Sequence, residues 1–159
     1  VKLLLAFGAK VLVLDPYVKL TPDYLAAGVT QVSREDLFTQ ADVVTLHSRV
    51  SEETRHMMNA DAFAKMKPGA LFVNTARGPL CDYDALYEAL TDGDLGSAML
   101  ETFAVEPAPV DWPLLQLPNV TITPHIAGAS VRTVTFAAEQ AAEEVRRYLA
   151  GEPAQNPCA

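Results

Sequence analysis

Three short segments of this chain put chemically capable side chains directly after apolar runs. The first, Leu71 to Gly78, reads Leu-Phe-Val-Asn-Thr-Ala-Arg-Gly. It predicts a buried strand followed by a polar turn that delivers Arg77 to the strand's carboxyl end. In an open α/β sheet that end is where ligands bind. A guanidinium there offers a planar fork that grips a carboxylate through two parallel hydrogen bonds. Glu101 to Pro107 and Thr123 to Gly128 supply a carboxylate and a histidine in similar places. The expectation is that the three segments build one active site.

The elements that must position these side chains follow from apolar runs and punctuation. Val1 to Phe7 reads as the end of a helix stopped by Gly8. Val11 to Leu14 is a short buried strand closed by Asp15-Pro16-Tyr17. Thr21-Pro22 opens a helix as N-cap and first-turn proline, and Gly28 stops it. Val29 to Val32 is a strand, and Ser33 caps the helix after it. Val43 to Leu46 is a strand ending in His47-Ser48-Arg49, and Asn59 opens a helix that Pro68-Gly69 ends. Beyond the strand at Leu71 come a helix from Asp82 to about Leu90 and a strand from Leu95 to Leu100. A proline-punctuated loop, a strand from Val120 to Ile122 and a long helix from a Ser130 cap to Leu149 complete the order. Strands alternating with helices predict βαβ units and a doubly wound, parallel α/β sheet with helices on both faces. Residues 1–151 form that domain, and only the tail 152–159 looks loose.

At 159 residues the chain has the length of about one domain. Its 12 basic against 20 acidic side chains give a net charge of −8, which excludes the basic face a nucleic-acid binder needs. Cys81 and Cys158 match no metal spacing, so no metal is expected; Cys81 reads as a small core residue, Cys158 as inert. No stretch reads as a signal peptide or as an apolar span of about 20 residues. A cytoplasmic protein away from membranes is expected.

The chain resembles the D-isomer-specific 2-hydroxyacid dehydrogenases. The resemblance is carried by Asp15-Pro16-Tyr17, Glu53-Thr54-Arg55, Met66 through Ala70, Asn74 through Gly78, Glu101 through Pro107, and Pro118 through Gly128, in that order. Each piece is weak by itself; their sequence is specific. A dinucleotide-binding domain of this kind opens with a strand, a glycine-rich turn and a helix, with an acidic residue about 20 positions on. Asp15 is that residue in context, whereas the helix at Val1 is already under way. The expectation is a Rossmann-type domain lacking its first strand and glycine loop, with a gap in the middle of its sheet.

The resemblance implies an NAD-dependent oxidoreductase that interconverts a small D-2-hydroxy acid and its 2-keto acid. His125 matches the general acid/base, a task suited to a group titrating near ~6.5. Glu106 matches the acidic partner that orients the imidazole and supports its charge, and Arg77 matches the carboxylate-binding arginine. Asp15 matches the contact to the adenosine ribose, where a carboxylate repels a 2′-phosphate and so favours NAD over NADP. Ser48, Arg49 and Thr54 match the loop on the adenine and phosphate side, and Thr75 and Ala76 the nicotinamide side. Arg77, Glu101, His125 and Gly128 join the same cofactor set. Two positions depart from the common pattern. Glu101 stands where an aspartate is usual, and Arg49 replaces the proline of His-x-Pro, adding a charge toward the cofactor phosphates. His47 is expected to line the cofactor cleft, His56 to lie on the surface, and Trp112 to anchor packing. A homodimer is implied by resemblance alone. The competing readings are an NAD-sensing regulator without activity, and a formate dehydrogenase, which expects glutamine where Glu106 stands.

Overall fold

The computed structural model describes residues 1–157, so Cys158 lies outside the described residues. The predicted elements are present in the predicted order. They are α1 (Lys2–Ala6), β1 (Leu12–Val13), α2 (Pro22–Ala26), β2 (Thr30–Gln31), α3 (Arg34–Gln40), β3 (Val43–Leu46), α4 (Ala60–Ala64), β4 (Leu71–Asn74), α5 (Tyr83–Thr91), β5 (Ser97–Leu100), β6 (Val120–Ile122) and α6 (Val131–Leu149).

The helix starts follow from capping chemistry. Ser33, Asn59 and Ser130 accept the backbone N–H of Asp36, Ala62 and Thr133, and Asp82 accepts those of Asp84 and Ala85. Each bond satisfies a donor that the first helical turn leaves without a partner. Thr21 departs from the expectation: it sits at the N-cap position of α2, but its side chain makes no capping bond. Pro22 alone presets that short turn. The expected strand from Leu95 starts later, at Ser97, because Gly96 is used to pass the Gly69 backbone. A Cβ on Gly96 would lie 2.3 Å from the Gly69 carbonyl oxygen.

Every ladder is parallel, as the alternation of strands and helices requires. The strands form two sheets, β1-β2 and β3-β4-β5-β6, with no ladder joining them among the described residues. In the larger sheet Val44, Phe72, Ala98 and Val120 pair in one row and Leu46, Asn74, Leu100 and Ile122 in another. On that face Val44, Leu46, Phe72, Ala98 and Leu100 enter the core with Phe38 of α3, Phe63 of α4, and Leu86 and Leu90 of α5. Phe63 meets Phe72 edge to face, with ring centroids 5.3 Å apart. The alternate residues Leu71 and Val73 are half-buried, and Val43 is exposed.

α5 is the helix that backs the site, and its start rests on Asp82. Asp82→Ala removes a cap that serves two N–H groups, 3.1 and 3.2 Å away. It should cost about 1 kcal/mol, read as a lower urea midpoint at unchanged slope.

The chain divides into two compact units, one from Val1 to Ile122 and a second starting at Thr123. In the second, the stretch after α6 is held rather than loose. Arg146 pairs with Glu143 and Glu152, Arg147 donates to the Pro153 carbonyl at 2.8 Å, and the Glu144 carboxylate accepts the N–H groups of Gln155 and Asn156. The loose reading missed these bonds because they depend on α6 lying alongside.

Candidate active site

The geometry of the Arg77 turn begins with a buried amide. Asn74, the last residue of β4, has no exposed surface. Its Oδ1 accepts the Ala76 N–H at 3.1 Å, and its Nδ2 donates to the Arg77 carbonyl at 3.1 Å. Both ends of the side chain are spent on folding Thr75-Ala76-Arg77 back on the strand end, which satisfies polar groups that burial would otherwise strand. Arg77 Nη1 donates to the Ala76 carbonyl at 2.6 Å, and the residue is exposed.

From behind, the turn is braced by the segment before α4. The His56 N–H donates to Pro79 O at 2.9 Å, Met58 N–H to Leu80 O at 3.1 Å, and Asp82 N–H to Met58 O at 2.8 Å. Met58, Leu80 and Cys81 are fully buried beneath it. Burial pushes the Cys81 thiol far up from its ordinary pKa, which removes the thiolate a nucleophile needs. Cys81 is a packing residue, as expected.

In front, Gly78 lies directly against the chain after β5. A Cβ on Gly78 would sit 2.0 Å from the Phe103 carbonyl oxygen and 2.5 Å from the Ala104 nitrogen. Only glycine permits this approach. The Phe103 segment is itself fixed by Glu106, whose Oε1 accepts the Phe103 N–H at 2.8 Å. The Arg77 turn and the Glu106 loop are therefore in contact, with Glu106 exposed and Glu101 buried at the end of β5. Tyr83 of α5 closes the base: its hydroxyl donates to Thr102 O at 2.5 Å, and its ring packs on Phe103 and, at 5.2 Å, on Trp112. Trp112 is thus the packing anchor expected of it.

A cleft of about 420 Å³ opens at the ends of β3 and β4, lined by His47, Ser48, Arg49, Val50, Thr75, Ala76 and Arg77. This brings together five of the predicted site residues, and His47 lines the same cleft. His56 lies on the surface with left-handed backbone. Thr54 is turned to another task. Its hydroxyl donates to the Arg49 carbonyl at 2.7 Å and accepts the Ser51 N–H at 2.8 Å, so it shapes the loop. Asp15, half-buried after β1, accepts the N–H groups of Tyr17 and Val18 on Oδ1 at 2.9 and 3.0 Å. Its Oδ2 has no hydrogen-bond partner among the described residues. Tyr17 in turn donates its hydroxyl to Glu53, which raises the Tyr17 pKa and ties the loop after β1 to the loop after β3. His125 and Gly128 belong to the second unit; both are exposed, His125 three residues past the end of β6.

Asn74, Gly78 and Tyr83 were absent from the residues picked out by sequence. The Asn-Thr-Ala-Arg-Gly run contains the first two, and an asparagine at a strand end before a turn was the available signal.

Parallel strands alternating with helices, with an arginine-lined cleft at their carboxyl ends, match a Rossmann-type dinucleotide-binding domain. The free Oδ2 of Asp15 and the acid-free cleft suit a ligand with ribose hydroxyls and anionic groups. Family comparison is more specific: the description "D-isomer specific 2-hydroxyacid dehydrogenase, NAD binding domain" matches residues 1–127. The chain belongs to this family, and its cofactor is NAD(H).

Among its relatives, the D-3-phosphoglycerate dehydrogenase of Mycobacterium bovis is 41% identical over 148 residues, covering 92% of this chain and 28% of the relative. The D-mandelate dehydrogenase of Rhodotorula graminis superposes with a TM-score of 0.91 at 33% identity, over 99% of this chain and 46% of that one. A D-isomer specific 2-hydroxyacid dehydrogenase from Xanthobacter autotrophicus, solved with NADPH and MES, gives 0.86 at 35% identity, over 98% and 63%. The chain thus spans 28% of that curated relative's length. No helix among the described residues is long and apolar enough to cross a membrane, and no His, Cys, Asp or Glu cluster among them forms a metal site.

Proposed function

We propose that the protein is an NAD-dependent D-2-hydroxyacid dehydrogenase, interconverting a small 2-hydroxy acid and its 2-keto acid. The observation that carries this is the seating of the Arg77 turn against the loop that Glu106 holds. It packs the turn carrying Arg77 against the segment that the Glu106 carboxylate fixes, at the carboxyl end of a parallel sheet.

Oxidation removes a hydride from C2 of the substrate and a proton from its hydroxyl. NAD, when bound, supplies the hydride acceptor. The rest falls to the protein. Arg77 holds the substrate carboxylate through its fork and so orients C2. His125 takes the hydroxyl proton on an imidazole nitrogen and returns it to the carbonyl oxygen in the reverse direction, with Glu106 as its acidic partner. Asp15 accepts hydrogen bonds from the adenosine ribose hydroxyls, and its charge disfavours a 2′-phosphate. Ser48, Thr75, Ala76, Glu101 and Gly128 complete the cofactor side, with Thr54 acting through the loop it holds.

The test is loss of NADH absorbance when the intact protein is given a panel of 2-keto acids. Arg77→Lys keeps the charge but loses the fork. It should raise KM for the keto acid by about 10- to 100-fold, the worth of a charge-assisted pair, with NADH affinity little changed. No NADH oxidation with any keto acid would overturn the reading.

A further inference from the structure

Arg49 is a cation without an employer inside the protein. Among the described residues its guanidinium has no carboxylate or carbonyl partner, in a chain where 20 acidic side chains outnumber 12 basic ones. Arg146 and Arg147, by contrast, are both paired with Glu143 and Glu152. Arg49 lines the same cleft as Arg77, and none of the residues lining that cleft is acidic. Glu53, on the following turn, is taken up by the Tyr17 hydroxyl. The backbone at Arg49 is fixed: the Thr54 hydroxyl donates to its carbonyl at 2.7 Å and accepts the Ser51 N–H at 2.8 Å. His47, two residues earlier, is steadied by Thr45 Oγ1 at 3.2 Å from its Nε2.

Two arginines lining one acid-free cleft in an acidic protein select for a ligand with two oxyanion groups. Two cations lining one cleft repel one another, and a bound dianion relieves that repulsion. A single carboxylate engages Arg77 and leaves Arg49 idle. We propose that Arg49 is a second anion clamp, binding an oxyanion presented in the cleft together with the carboxylate held by Arg77. This rests on the dehydrogenase reading for the role of Arg77. The second oxyanion has two possible sources of the same chemistry: the cofactor's pyrophosphate, or a second acid group on the substrate, phosphate or carboxylate.

The experiment compares wild type with Arg49→Gln and Arg49→Lys in the intact protein. NADH binding is titrated at low and high salt, and kcat/KM is measured for pyruvate, oxaloacetate and 3-phosphohydroxypyruvate. If the source is the cofactor, Arg49→Gln weakens NADH binding by about two- to fivefold at low salt, less at high salt, as expected for an exposed charge pair. The preference among keto acids then stays the same. If the source is the substrate, NADH binding holds, and the preference for the two dianionic keto acids over pyruvate falls by about two- to fivefold. Arg49→Lys recovers part of either loss. Arg49 is exposed, so an unchanged melting temperature is expected and separates these effects from misfolding. Unchanged NADH affinity together with an unchanged keto-acid preference overturns the proposal. If wild type reduces no keto acid at all, the dehydrogenase reading fails separately, and the NADH titration alone decides Arg49.

Discussion

His125→Gln is expected to lower kcat for keto-acid reduction by about 10²- to 10⁴-fold, the range general acid–base catalysis contributes, with NADH affinity nearly intact. Glutamine is polar and close in reach, and its amide still donates a hydrogen bond. It cannot carry a proton to or from the substrate oxygen. A loss confined to kcat therefore isolates proton transfer from binding. Steady-state kinetics and an NADH titration on the same preparation make the separation. Full turnover by the variant would remove His125 from the chemistry. Parallel loss of NADH binding would instead make it a residue that shapes the cofactor site.

Gly78→Ala is expected to do its damage through geometry. The new methyl group would sit 2.0 Å from the Phe103 carbonyl oxygen and 2.1 Å from its carbon, both backbone atoms with no rotamer to escape into. One of the two segments must move. Arg77 is attached to one and Glu106 holds the other, so the two proposed site residues separate whichever yields. The overpacking should cost about 3 kcal/mol, lowering Tm by about 6–12 °C, and activity should fall beyond what partial unfolding explains. Gly128→Ala is the stability control, because a Cβ there meets nothing within 4 Å. A wild-type melting curve for Gly78→Ala would mean that the two segments are not packed as described.

What was legible in the sequence was local. Ser33, Asn59, Asp82 and Ser130 announce their helices because a cap bonds a backbone group within three residues of itself. Gly8, Gly28, Gly69, Gly93 and Gly151 all adopt positive φ at helix or turn ends. The bounds of β3 and β4 agree with the reading because their apolar runs stop at polar residues. The interior of the site was not legible in the same way. That Gly78 must be glycine depends on Phe103, 25 residues later, and that Tyr17 reaches Glu53 depends on two loops meeting. Asn74 sits in a motif that was singled out, yet its role shows only once the turn has closed over its amide. Arg77, Glu106 and His125 are proposed from the order of their motifs, since nothing about their spacing alone brings them together.

The register of the larger sheet also carries a kinetic meaning. Val43 pairs with Leu71, Leu71 with Ser97 and Ala98 with Val120, separations of 28, 26 and 22 residues. Every ladder joins a strand to the next one in the chain, so each closure bridges one crossover and none waits for a distant partner. Closure entropy grows only with the logarithm of loop length, and these three steps differ by only about 0.2 kcal/mol. Assembly can therefore run in the direction of synthesis, β4 docking on β3, β5 on β4 and β6 on β5. The Arg77 turn is laid down when β4 docks, and it stands ready as the surface on which the Glu106 loop settles when β5 arrives.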